Sequence, residues 1–356
     1  MVDRAMEPAV RNSWYLAGWS HEIDGGFVGR TVLGDDLILF RDSGGHAAVL
    51  EDRCCHRGAP LTEGDLVPAG IQCGYHGLVF DGTGACVEIP EEEPNPAFRV
   101  RAYPVVERQH CIWVWMGEAG LADESLIVDF PYTETDDHEF FYGRYDVAAN
   151  YMFMIDNLMD LTHLGYVHKT TIGGFPDSHN KATLTATRTE RGAHFLRWLI
   201  DAPPPPSFVD AVGFEGNIDR WSDFEYVSPA TVLQWGGALD TGTGARENRH
   251  QPGGMSLRLL HNATPVTDRA CHYFFAVSAR GLKLDTPAGE AFRRDILDAF
   301  LEDKAIIEAQ QRAVDKDPDR PLLHRKRDAA VAYARQAIRR LQDTEGAGAV
   351  TSEAAE

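Results

Sequence analysis

The chain has 356 residues, enough for two domains with their own cores, and its 25% charged and 44% hydrophobic residues are ordinary for a globular protein. A formal net charge of −20 argues against nucleic acid or an anionic membrane surface as a partner. The opening residues lack the charged-then-apolar layout of a secretion signal, and no apolar run reaches membrane-spanning length, so a cytoplasmic compartment is expected. Six cysteines, two of them adjacent at Cys54 and Cys55, do not form a disulfide framework; clustered in a cytosolic chain they point to metal or catalysis.

Residues 12–118 read as a small all-β domain of short strands. Segments 37–40 and 47–50 flank Ser43-Gly44-Gly45, a turn signal, and 111–116 is rich in β-branched and aromatic residues. Inside lie Cys54-Cys55-His56-Arg57-Gly58 and Cys73-Gly74-Tyr75-His76-Gly77, that is, C-x-H, sixteen residues, then C-x₂-H. Two thiolates suit one iron of a [2Fe–2S] cluster and two imidazoles the other. Each half offers one of each, so each loop can reach both irons, and Gly58, Gly74 and Gly77 permit the tight turns. A tetrahedral Cys₂His₂ zinc site is the competing reading, although zinc sites usually pair like ligands within each half. Cys55 is expected as a packed, unligated thiol pointing away from its neighbours. Cys86, Cys111 and Cys271 carry no ligand spacing and are expected as buried hydrophobes.

The acidic stretch 118–131 reads as a linker to a second domain over 119–343. There, Asp156, Asn157, Asp160, His163 and His168 lie among Leu158, Met159, Leu161, Leu164 and Val167. Buried acids and histidines need partners. On a regular helix His168 is rotated by roughly 140° from His163, so the two meet only if the helix loosens, with Gly165 as the expected place. Two histidines and a carboxylate from elsewhere would make the facial triad of a non-heme Fe(II) oxygenase. Two core histidines bonded to aspartates is the other reading.

Strands are expected at 183–187, 194–198, 223–235, 255–263 and 271–279, with a mobile loop over 240–254. Thr286 and Pro287 open a helix on which Phe292, Ile296, Phe300, Ile307 and Gln310 recur at helical spacing. Asp303 falls on that apolar stripe and needs a cation, either a metal or an arginine such as Arg197 or Arg220. Asp298, Glu302 and Glu308 fall on other faces and are expected in solvent. A second helix over 325–341 precedes a flexible tail, 344–356.

The two Cys–His loops resemble the Rieske domain of the Rieske non-heme iron oxygenases, departing at Cys55, where proline is commoner. The run Met154 to His163 with His168, and Leu301-Glu302-Asp303-Lys304 with Ile307 to Gln310, resemble the catalytic motifs of the vanillate O-demethylase and dicamba monooxygenase branch. The resemblance implies an α+β fold, a Rieske β-domain followed by a helix-grip domain whose antiparallel sheet curves around a long C-terminal helix. It implies that Cys54, His56, Cys73 and His76 hold a [2Fe–2S] cluster and that His163, His168 and Asp303 hold a mononuclear Fe(II). Asn157 would lie beside that iron, and Asp160 would link it to His76 of a neighbouring subunit in a homotrimer.

The implied reaction is oxidative O-demethylation of a methoxylated aromatic acid with O₂, releasing formaldehyde. Methyl or ring hydroxylation and N-demethylation are alternatives on the same scaffold. The chain has no G-x-G-x-x-G loop, so a separate ferredoxin or flavin reductase drawing on NADH is expected to supply electrons. His261 matches a substrate-contacting histidine of this branch, and as a lone strand histidine it is equally readable as a core residue; Phe224, Trp235 and Phe300 are candidate aromatic walls. From another class, a Rieske electron carrier without catalysis predicts neither the paired histidines nor the buried acid.

Overall fold

Most strand-forming runs in the first third of the chain pair with a near sequence neighbour, as short connections favour. In the computed structural model, which describes residues 2–3 and 6–353, residues 10–129 form one unit. Its strand Asp35–Arg41 runs between Phe27–Val32 and Ala47–Glu51, and Leu37 to Phe40 are all fully buried. That burial on both faces explains a continuous rather than alternating apolar run. A second three-stranded sheet pairs Cys111–Trp115 with Trp14–Trp19 and Val105–Arg108. Asp65–Val67, Gly70–Gln72, Val79–Phe80 and Cys86–Glu88 form a four-stranded sheet. The acidic stretch expected to be a linker from 118 stays with this unit. Trp115 Nε1 donates to the Glu118 carbonyl at 2.8 Å and Trp14 Nε1 to that of Asp123 at 2.9 Å, since a buried indole N–H seeks an acceptor. The division falls between Asp129 and Phe130, near the end of that stretch.

Residues 6–9 belong with the second unit, because Glu7 accepts from Arg339 and its carbonyl from Asn150. This unit is built on seven antiparallel strands: β1 (His138–Val147), β2 (Thr183–Arg188), β3 (Gly192–Ala202), β4 (Ile218–Val227), β5 (Thr231–Asp240), β6 (Met255–Thr267) and β7 (Ala270–Arg280), ordered β1-β7-β6-β5-β4-β3-β2. The single strand expected over 223–235 is a hairpin, β4 and β5, whose turn contains Pro229; proline has no N–H for a ladder.

Three helices matter for the site: α1 (Tyr151–Met159), α2 (Pro287–Val314) and α3 (Ala329–Glu353). Thr286 Oγ1 caps α2 by accepting Gly289 N, as its sequence implies. The buried stripe of α2 is Phe292, Ile296, Phe300, Asp303, Ile307 and Gln311. Gln310, expected on that stripe, is exposed; Gln311 takes its place and accepts the backbone N–H of Asn150 at 2.8 Å. Phe300 lies against His261, Tyr273 and Phe275, which fixes the inner face of the sheet. The helix expected to end near 341 continues to Glu353, carried past Gly346 and Gly348 by good helix formers such as Ala347 and Ala349; the last three residues of the expected tail lie outside the described ones. No helix among the described residues is long and apolar enough to cross a membrane.

Candidate metal centres

The helix carrying the paired histidines is interrupted, but not where glycine suggested. Asp160 leaves α1 in an extended conformation (φ −129°, ψ 94°), Leu161–His163 form a 3₁₀ turn, and Leu164–Val167 resume as α-helix. The tighter turn re-aims the rings of His163 and His168, whose centroids lie 5.2 Å apart. Gly165 is helical and serves close approach instead, since a Cβ there would lie 2.7 Å from Pro176 Cα.

One ligand atom each from His163, His168 and Asp303 lies within 4.8 Å of the others. His163 Nδ1 is 2.7 Å from the Asp160 carbonyl, and His168 Nδ1 is 2.7 Å from Glu302 Oε2. Each contact requires a proton on Nδ1, so in the neutral imidazoles each Nε2 keeps its lone pair. Those lone pairs face Asp303 Oδ1 at 3.5 and 3.0 Å. His168 Nε2 is fully covered and makes no hydrogen bond, despite its nearness to that oxygen. Three lone pairs converging on one buried point repel one another until a cation joins them, and two imidazoles with one carboxylate suit Fe(II) with positions left open. Burial pushes His163 down, partly offset by Asp303. At His168 burial acts the same way but is outweighed by Asp303 and Glu302, so its net shift is upward.

Asp303 is buried as expected, yet its partner is neither arginine considered for it. Arg197 bonds His179, and Arg220 bonds the Ile172 carbonyl. Asn157 Nδ2 donates to Asp303 Oδ1 at 2.9 Å. Glu302, expected in solvent, instead accepts from both His168 and Thr171 Oγ1. Glu308 is likewise engaged, by the Ala148 N–H and Lys304. Asp156 is held by Arg335 of α3. Asp160 accepts Thr162 N with Oδ1 and Arg325 Nη2, at 3.0 Å, with Oδ2.

In the first unit, the two Cys–His loops fold alike. Cys54 N bonds the Ala59 carbonyl and Cys73 N that of Leu78, both at 2.8 Å; Gly58 N and Gly77 N turn back onto the carbonyls of Cys54 and Cys73. Both glycines have positive φ (73° and 76°), which explains their presence. Cys54 and Cys73 are buried among Ile38, Phe40, Ile71 and Phe80. Burial pushes the Cys54 thiol up to about 11, with Cys73 beside it adding to the rise. The rings of His56 and His76 lie 4.6 Å apart, and His56 Nδ1 is covered without a partner. Thiol thus sits with thiol and imidazole with imidazole, the sorting a [2Fe–2S] cluster needs. Among the described residues, only His163, His168 and Asp303 gather on a single point, so the four loop ligands do not have the convergence of a zinc tetrahedron. Cys55, expected to be packed, is exposed, while Cys86, Cys111 and Cys271 are buried.

His261 is buried on the inner sheet face, with Nδ1 2.7 Å from Tyr273 Oη and Nε2 3.0 Å from Gln234 Oε1. Burial pushes it down to about 3, so it is neutral. Phe224 stacks beside it and Phe300 abuts it. Trp235 does not join them on that face. It stands opposite Asp223 and Arg258, one residue out of step with Gln234, and so faces the other side of the sheet. The loop 240–254 is tethered to that outer face: Arg249 pairs with Asp223 and lies 3.8 Å over Trp235, and Ala245 is buried against Trp198 and Trp221. Gln234, Tyr273 and Glu302 were missed by sequence reasoning; only Gln234 offers a signal, as a polar residue at an inward position between Val232 and Gly236.

Residues 13–104 match the Rieske [2Fe-2S] domain and residues 147–344 the vanillate O-demethylase oxygenase C-terminal domain. The chain is 38% identical to a putative toluene-4-sulfonate monooxygenase system iron-sulfur subunit of Comamonas testosteroni, over 95% of this chain and 99% of that one. It is 35% identical to the dicamba O-demethylase oxygenase component of Stenotrophomonas maltophilia over the same shares. Its structure matches dicamba monooxygenase bound to 3,6-dichlorosalicylic acid with a TM-score of 0.87 and 32% identity, covering 96% of this chain and 100% of the other. With a Rieske domain, a cluster of two histidines and a carboxylate on a separate unit, and relatives that match both from end to end, this chain belongs to the Rieske non-heme iron oxygenases of the vanillate O-demethylase type.

Proposed function

We propose that the chain is the oxygenase component that removes the O-methyl group of a methoxylated aromatic acid. The observation that carries this reading is the convergence of three lone pairs, from His163, His168 and Asp303, on one buried point. These three would hold Fe(II), and Cys54, His56, Cys73 and His76 would hold the cluster. When bound, the cluster supplies single electrons and the iron activates O₂ against a substrate C–H bond. In balance, the methoxyarene, O₂, NADH and a proton give the phenol, formaldehyde, NAD⁺ and water.

The remaining work belongs to side chains. Glu302 fixes the His168 tautomer and raises its basicity, as carboxylates behind metal-bound imidazoles do. Glu302→Gln should weaken Fe(II) binding about 10–100-fold. Chelator competition on the purified protein measures this; unchanged affinity would rule out the role. Asn157 orients the Asp303 carboxylate through its amide N–H. Asp160 lines a recess with Thr162, Arg197 and Arg327, where a second subunit's His76 would reach it in a homotrimer. His76 and Tyr75 are exposed, which suits such a meeting. His261, Phe224 and Phe300 would border the substrate, with neutral His261 oriented by Tyr273 and Gln234. A separate NADH-dependent reductase would feed the cluster.

A methoxylated benzoate incubated with the holoenzyme, O₂, NADH and a Rieske reductase should release formaldehyde in step with NADH consumed. The higher identity to the toluene-4-sulfonate relative favours a second reading, hydroxylation of an aryl methyl group. Hydroxymethyl product from toluene-4-sulfonate, with no formaldehyde from any methoxyarene, would select it.

A further inference from the structure

Buried charge in the catalytic unit is mostly matched, as where Arg335 meets Asp156 and Arg249 meets Asp223. Arg197 and Arg220 depart from this. They are 4% and 9% exposed and rise from the inner sheet face as diagonal neighbours, Arg197 opposite Ser222 and Arg220 opposite Leu199. Among the described residues, their hydrogen bonds go to no carboxylate. Arg197 directs Nη2 to His179 Nδ1 at 2.8 Å, and its Nη1 is covered without an acceptor. Arg220 donates Nη1 to the Ile172 carbonyl at 3.0 Å and lies 4.9 Å over the ring of Phe208. Next to Phe208, Ser207 is fully buried with its hydroxyl unpartnered. Asp160 is near enough to attract Arg197, whereas among the described residues no carboxylate does so for Arg220; a buried guanidinium without counter-charge is costly, and so is an unsatisfied hydroxyl. An anion beside Arg220 answers the first, and Ser207 stands on the short helix whose Phe208 ring lies under that guanidinium.

We propose that Arg220 and Ser207, backed by Arg197, form the subsite that takes the acid group of the aromatic substrate. Ile172 follows Thr171, whose hydroxyl bonds Glu302, which in turn holds His168. The subsite is thereby tied to the support of the iron ligands. Burial, with Arg197 adding to it, pushes Arg220 down to about 9, which leaves it charged at neutral pH. His261 cannot supply that charge, being neutral with both ring nitrogens engaged. The planar guanidinium fork matches two oxygens of a carboxylate or sulfonate.

The inference rests on the aromatic-acid reading above, and binding tests it apart from turnover. Calorimetric titration of the holoenzyme with 4-methoxybenzoate, toluene-4-sulfonate and neutral 4-methoxybenzamide should favour an acid over the amide by at least about tenfold. Arg220→Met should remove that preference. Ser207→Ala should weaken acid binding several-fold and leave amide binding unchanged, and it decides the matter if Arg220→Met does not fold. The cluster's visible absorption and the far-ultraviolet circular dichroism report folding. Folded variants that keep the wild-type preference, or a wild type that binds no acid better than the amide, would overturn the subsite. An intact acid preference without formaldehyde release would instead overturn the demethylase reading and leave the subsite standing.

Discussion

Asp303→Ala should abolish turnover and lower the iron content from about three to about two per chain, with the Rieske absorption unchanged. The carboxylate is the only anion among the three converging groups, and it faces both imidazole lone pairs. Without it, two neutral imidazoles remain, and Asn157 loses the acceptor of its amide N–H. The loops of the first unit have their own core, so their cluster should be untouched. Metal analysis with a steady-state assay on one preparation measures both quantities. Full activity in the variant would remove Asp303 from the metal site.

Arg335→Met should cost about 3–5 kcal/mol of stability, the usual penalty for stripping one partner from a buried ion pair. Arg335 is 1% exposed, and its Nε and Nη2 bond both oxygens of Asp156, with Glu7 Oε1 3.7 Å from Nη1. Glu7 would retain Arg339, but Asp156 would be left in α1 one turn before Asp160. The loss therefore strikes the helix that aims the site. Urea unfolding followed by tryptophan fluorescence reads the change. A shift below about 1 kcal/mol would mean that the pair contributes no more than a surface ion pair does.

How much of this was legible in the sequence depended on distance along the chain. The Cys–His loops were readable because their ligands lie a few residues apart, and the glycines that close both turns are part of the motif. Asp303 was readable because an acid interrupted an apolar stripe, although the stripe alone left open whether metal or arginine answered it. Glu302 was not readable: one residue rotates the helix by about 100°, which takes it off the stripe but still within reach of His168. The pairing of His163 with His168 needed a helix break that Gly165 advertised and Asp160 supplied. Trp235 was misread because a strand drawn through 223–235 hid both the turn at Pro229 and the alternation that sends the indole outward. The acidic run after Gly117 looked like a linker, because sequence cannot reveal that two indole N–H groups draw it back.

The whole account turns on electrons crossing from the thiolate-and-imidazole loops of one copy to the iron held by another. Co-expressed Cys73→Ser and Asp303→Ala chains test this most directly, since each alone lacks one half of the apparatus. Mixed assemblies, verified by native mass spectrometry, should recover substrate-dependent NADH consumption that neither parent has. Mixed assemblies that form, carry both metals and stay as inactive as their parents would contradict it.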